Sequence, residues 1–184
     1  TSFNSSGTTS SPANVTVNGD IITSFDVSTE RVGRVIITAP GDINTQNIFT
    51  DYSSVEFFLN NLFGGEVNLK AGGNISTINI DSSVNLNAGD FVTGGNINLE
   101  AGGNIIVTDS ISSGAFTFEN VSQISGGEIN LKAGGNIVVE DGKGSNVLVG
   151  SANDISAGKI NIDSGGDIFV AEIESSLDVT GFSF

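Results

Sequence analysis

Acid–base chemistry needs carboxylates that converge, and three pairs lie close enough in sequence to be candidates: Asp109 with Glu119, Glu140 with Asp141, and Asp51 with Glu56. In a polysaccharide hydrolase one member of such a pair gives up a proton while the other activates water or attacks the sugar. A lyase would instead need a basic residue, supported by calcium, to take the proton. The chain is poorly stocked for either role, with no histidine and only Arg31 and Arg34 as arginines. The corners "NAGD" (Asn87–Asp90) and "EDGKG" (Glu140–Gly144) offer oxygen ligands for weak calcium binding. An Asp or Asn at a turn more often serves local hydrogen bonding, and neither an EF-hand loop nor a calcium-binding nonapeptide is written in the chain. The absence of cysteine rules out disulfides and thiolate zinc sites. These residues describe a protein that is not an enzyme and has no cofactor.

The elements that would position such residues are repeated. "GGEVNLKAGGNIST" begins at Gly64, "GGNINLEAGGNIIV" at Gly94 and "GGEINLKAGGNIVV" at Gly126, with looser copies "GRVIITAPGDINT" from Gly33 and "GKINIDSGGDIFV" from Gly158. Aligned on Gly33, Gly65, Gly95, Gly127 and Gly158, the copies are spaced by 32, 30, 32 and 31 residues. A period in this range marks a solenoid or a propeller. Within each copy the apolar residues alternate with polar ones, as in Val67 and Leu69 or Ile129 and Leu131, which is the pattern of a half-buried strand. The strand meets a corner and resumes at Ile43, Ile75, Ile105, Ile137 and Ile168. At the first corner Pro40-Gly41 replaces the Gly-Gly of the others, the pair that a type II turn favours at its centre. Gly41, Gly73, Gly103, Gly135 and Gly166 are therefore expected to supply a positive φ. A third, less regular apolar segment completes each unit: "VEFFL" from Val55, "VNLNA" from Val84, "AFTF" from Ala115, "NVLV" from Asn146 and "SSLDV" from Ser175.

Short strands with glycine corners, repeated about every 31 residues, make an all-β fold: a right-handed parallel β-helix, or β-solenoid, of about five to six coils. Stacked coils bring like positions together, so ladders are expected. One asparagine ladder runs Asn68, Asn98, Asn130, Asn161, and a corner column runs Asp42, Asn74, Asn104, Asn136, Asp167. A charge ladder alternates in sign through Lys70, Glu100, Lys132 and Asp163, and a second outward column reads Arg34, Glu66, Asn96, Glu128, Lys159. Residues 1–18 read as a Ser/Thr/Asn-rich leader or an added edge strand, and residues 19–184 as a single parallel β-helix. The alternation in "NVTVNGDIIT" is enough for a partial first coil.

The repeats "GGEVNLKAGGNI", "GGNINLEAGGNI" and "GGEINLKAGGNI", with "GDINTQNI" and "GGDIFV", resemble those of filamentous-haemagglutinin-like exoproteins, the surface adhesins of two-partner secretion, including cyanobacterial members. The resemblance spans about residues 33–170. It implies a right-handed parallel β-helix, export across the outer membrane of a bacterium, and an adhesive or spacer role without catalysis. The family's secretion motifs "NPNG" and "NPNL" do not occur, so the chain looks like repeat shaft rather than the secretion-guiding domain.

Charge and chain ends bear on partners. The formal net charge is −15, which opposes nucleic acid and anionic membrane surfaces and favours solubility. No apolar run approaches a membrane span, so no membrane insertion is expected. The chain starts with Thr and carries no signal sequence, as a mature product or an excised piece would. A terminal coil exposes unpaired backbone and an open core. Phe3 at one end and Phe182 and Phe184 at the other either plug those openings or make end-to-end contacts in a filament. The partners expected are thus self, stacked head to tail or as coils of a parent chain, and a host or neighbouring cell surface. Phe57-Phe58 in the first third segment would put one ring outward, as consecutive strand residues must.

Overall fold

The computed structural model describes residues 2–4, 12–23, 25–26, 31–54, 61–86, 89–117, 120–144, 146–149 and 151–179. They form a parallel β-solenoid without helix, with successive turns about 31 residues apart. Each round visits four faces. The first face stacks Val35–Ala39, Val67–Ala71, Ile97–Ala101, Ile129–Ala133 and Ile160–Ser164 in register, so that Leu69 lies over Ile37 and under Leu99. After the corner, the second face takes strands such as Ile75–Thr77 and Asn79–Asp81, and the third takes Tyr52–Ser54, Val84–Leu86, Ala115–Phe116, Val147–Val149 and Leu177–Val179. The fourth face stacks Asn61–Phe63, Gly89–Thr93, Asn120–Ser125 and Ser151–Ser156.

Two expectations about the coil change. The stack makes about 4 turns, fewer than the five to six expected, because the five first-face strands from Val35 to Ser164 bound four full intervals and the rounds beyond them are partial. The unit also has a fourth strand that the three-segment reading missed. Its inward column of Leu62, Val92, Ile124 and Ile155 lies just upstream of the glycine that opens each copy, where the turn residues drew attention away from it.

The polypeptide ahead of the first full repeat joins the stack. Ser2–Asn4 pairs in parallel with Val35–Ala39, while Val15–Thr16 and Ile21–Ile22 pair with Ile43–Asn44 and Asn47–Phe49 on the second face. Pro12-Ala13-Asn14 thus lies beneath Pro40-Gly41-Asp42, with the Gly41 amide donating to the Ala13 carbonyl at 3.0 Å. Phe25–Asp26 and Arg31–Val32 form an antiparallel pair at the same end.

Alternation drives the core. In the first-face strands Val67, Leu69 and Ala71 point inward and are buried, while Lys70 points out and is exposed. The apolar interior has two separate lobes. One lies between the first and second faces around Ile37, Leu69, Leu99, Ile105 and Leu131, and the other lies between the third and fourth faces around Leu62, Leu86, Val92 and Ile124.

A polar waist divides them. Thr50, Ser82 and Ser113 are fully buried, and their hydroxyls donate to the carbonyls of Gly65, Gly95 and Gly127 at 2.9, 2.8 and 3.0 Å. The amides of the same three glycines donate back to the carbonyls of Thr50, Ser82 and Ser113 at 3.0, 2.8 and 2.8 Å. This reciprocal bridge satisfies polar groups that would otherwise be orphaned in the interior. It also explains the glycine that opens each repeat. A Cβ on Gly65 would meet the Gly33 carbonyl and the Thr50 side chain, and one on Gly95 would meet the Gly65 carbonyl.

The corner glycines require a correction. Gly41, Gly73, Gly103, Gly135 and Gly166 do not adopt a positive φ, which among the described residues belongs to Gly144 at 64°. Their constraint is close approach instead: a Cβ on any of them would meet the side-chain oxygen of the corner Asn or Asp one coil below.

Candidate functional site

The corner column is the most continuous device on the surface. The side-chain oxygen of each member accepts the backbone amide of the next: Asn74 on Asp42 at 2.7 Å, Asn104 on Asn74 at 2.8 Å, Asn136 on Asn104 at 2.7 Å and Asp167 on Asn136 at 2.9 Å. Asn14 extends the column by a rung that sequence reading did not include, accepting the Asp42 amide at 2.7 Å. Ala13 there stands where the repeats carry the corner glycine, which hid the homology of that segment.

The asparagine ladder is likewise built as a chain of amides. Asn98 donates to Asn68 at 2.8 Å, Asn130 to Asn98 at 2.8 Å and Asn161 to Asn130 at 2.7 Å. In every rung of both columns the later coil donates and the earlier coil accepts.

In the charge ladder, Lys70 and Glu100 meet at 2.8 Å. The hydrogen bond from Lys70, and then its charge, hold the Glu100 carboxyl below the ordinary carboxylate range. Both side chains are more than half exposed, so the pair is worth under about 1 kcal/mol. Lys132 lies beside Glu100 and Asp163 beside Lys132 in register. In the second outward column, Asn96 accepts the Glu128 backbone amide at 2.8 Å.

Of the sequence-derived carboxylate pairs, only Glu140 with Asp141 lies wholly within the described residues. Glu119 and Glu56 lie outside the described residues, while Glu140 and Asp141 are both exposed on the strand Ile137–Gly144. The structure gathers different acids. A groove of about 490 Å³ runs along the coils where the second and third faces meet, with Asp51 and Asp81 toward one end, Glu172 and Glu174 toward the other, and Tyr52 and Phe116 among its walls. Desolvation in that groove, and then the charge of Asp81, push the Asp51 carboxyl above its ordinary value. Among the described residues that line it the groove is acidic and holds no basic side chain. Among the described residues no group of three or more His, Cys, Asp or Glu gathers to hold a metal ion, and no helix is long and apolar enough to cross a membrane. Of the calcium candidates, Asn87 and Ala88 lie outside the described residues.

In the last described coil the inward columns are less covered than in the coils before it. Ile168 continues the inward column of Ile105 and Ile137, yet it is 51% exposed where they are fully buried, and Ile160 and Ile162 are only half-buried where their counterparts Ile129 and Leu131 are buried. Phe169 and Ile173 are exposed beside them. Of the aromatic residues singled out for the ends, Phe3 lies on Ser2–Asn4 in register with Ile37, while Phe182 and Phe184, like Phe57 and Phe58, lie outside the described residues.

The haemagglutinin repeat model matches residues 1–77, 64–141 and 140–168. The chain belongs to the haemagglutinin repeat family. No match was found among curated proteins or among solved structures. The three matched stretches overlap and together cover all of the first-face strands. A haemagglutinin repeat on a β-solenoid suits a shaft segment of the adhesin type, and no catalytic relative accompanies it.

Proposed function

We propose that this haemagglutinin-repeat chain is a rigid, non-catalytic shaft segment of a secreted bacterial surface adhesin, working outside the cell to hold an adhesive part away from it. The observation that carries this reading is the continuity of the cross-section: five first-face strands stack residue on residue, with both amide ladders passing from coil to coil. A solenoid in which each unit contacts only its neighbours can be lengthened by adding units, which is what a spacer requires. The partners of such a shaft are further coils of its own kind and, through the adhesin it serves, a host or neighbouring cell surface. Its charge of −15 opposes binding to nucleic acid or anionic membrane.

A second reading, a subunit that stacks head to tail into an extracellular filament, is favoured by the exposure of Ile168, Phe169 and Ile173 on the last described coil. Electron microscopy with light scattering over a concentration series separates the two. Single short rods at every concentration support the shaft. Fibres with a regular axial repeat would replace it with the filament. Compact particles without rod shape would sink both.

A further inference from the structure

Asparagine is the commonest ladder residue here, and nearly every copy is followed by an aliphatic branched residue inside a strand. Asn68 and Asn98 precede leucines, and Asn74, Asn104 and Asn136 precede isoleucines. The following amides are also occupied: those of Ile75 and Ile105 donate to the next coil at 2.9 Å each. Asn18 differs on every count. It is the one asparagine in the chain that precedes glycine. It is exposed in the bend between Val15–Thr16 and Ile21–Ile22, and a Cβ placed on Gly19 would meet nothing within 4 Å. Among the described residues no hydrogen bond engages the Asn18 side chain or the Gly19 amide.

We propose that Asn18 is a site of spontaneous covalent modification, deamidating through the Gly19 backbone, and that this modification loosens the N-terminal round of the solenoid. The Gly19 nitrogen, after losing its proton to solvent, attacks Cγ of Asn18. The new C–N bond closes a five-membered imide as the Cγ–Nδ2 bond breaks and Nδ2 leaves as ammonia. Water then opens the imide. Attack at Cγ restores the normal backbone with aspartate at position 18, whereas attack at the backbone carbonyl leaves isoaspartate. A following residue without a side chain leaves the nitrogen unhindered and the backbone free to reach the ring geometry. The ladder asparagines are held away from it by the sheet.

The consequences fall on one end of the molecule. Isoaspartate routes the backbone through an extra methylene between two strands that are both registered on the neighbouring coil. Either product adds a carboxylate two residues from Asp20, whose side chain accepts the Asn47 amide nitrogen Nδ2 at 2.8 Å. The strain would also reach Thr23, whose amide donates to the Phe49 carbonyl at 3.0 Å.

The test is to age the purified protein at mildly alkaline pH and follow each asparagine by peptide mapping with mass spectrometry. The expected result is a mass gain of about 1 Da at position 18, appearing at least ~10-fold faster than at Asn74 or Asn98, with both aspartate and isoaspartate products. Gly19→Ala should slow it at least ~10-fold without lowering the thermal midpoint, because the space is open. In aged protein, hydrogen exchange should quicken at Ile22 and Thr23 and not in Val67–Ala71. Equal rates at position 18 and at the ladder asparagines, or a Gly19→Ala variant that converts as fast as the parent, would overturn the assignment. Unchanged exchange at Ile22 and Thr23 in converted protein would overturn the loosening.

Discussion

At Gly103 a Cβ would run into the Asn74 side-chain oxygen, the atom that accepts the Asn104 amide at 2.8 Å. Gly103→Val should therefore displace a ladder acceptor as well as crowd the corner, lowering stability by about 1–3 kcal/mol, the usual cost of leaving such a group unsatisfied. Thermal unfolding checks this, with Gly19→Ala as the neutral control, since nothing lies within 4 Å there. Equal midpoints for wild type and Gly103→Val would refute the account. The need for glycine at the corners was legible from the alignment, but its reason was not, because the obstructing atom belongs to the coil below and is distant in sequence. Asp51 adds a pH effect. Its carboxyl titrates above its ordinary value, so the protonated form is favoured in the folded state. That contribution is full below the unfolded value near 3.8 and is lost as pH rises through the folded value. Asp51→Asn should hence raise the urea midpoint at pH 7 and bring no gain at pH 3, a small shift because the side chain is only partly withdrawn from solvent.

At the scale of the strand, the first face was read from sequence almost entirely, because alternation and a repeated glycine fix both its inward set and its register. The fourth face escaped because Asn61–Phe63 and Gly89–Thr93 share little beyond Leu62 and Val92. The polar waist escaped for a related reason: Thr50, Ser82 and Ser113 look like turn residues until their buried hydroxyls are seen to reach Gly65, Gly95 and Gly127. The acidic groove was hidden as well, since Asp51 and Asp81 belong to adjacent coils. Within the ladder, position decides what a rung contributes. Asn98 both donates to Asn68 and accepts from Asn130, whereas among the described residues Asn161 only donates, to Asn130. Asn98→Ala should cost about 1–2 kcal/mol and Asn161→Ala roughly half of that. Denaturant unfolding of the two variants makes the comparison, and equal losses would mean that the rungs act independently of their neighbours.

For the whole molecule, the waist makes two cores out of one tube, so damage in one lobe should not be felt in the other. Leu99→Ala and Ile124→Ala lie in different lobes, each expected to cost about 2–5 kcal/mol, and the double variant should lose their sum to within about 0.5 kcal/mol. Leu99→Ala with Leu131→Ala, which stack in register within one lobe, should depart from additivity. The same stacking gives the solenoid a direction. Every rung of both amide columns points its donors toward the N-terminal end and its acceptors toward the C-terminal end. Aligned amide dipoles sum, as they do along an α-helix. The solenoid therefore carries an axial electric polarity that sheet backbones, with their small net dipoles, do not supply. Its negative pole falls on the last described coil, where Asp163 and Asp167 add formal charge.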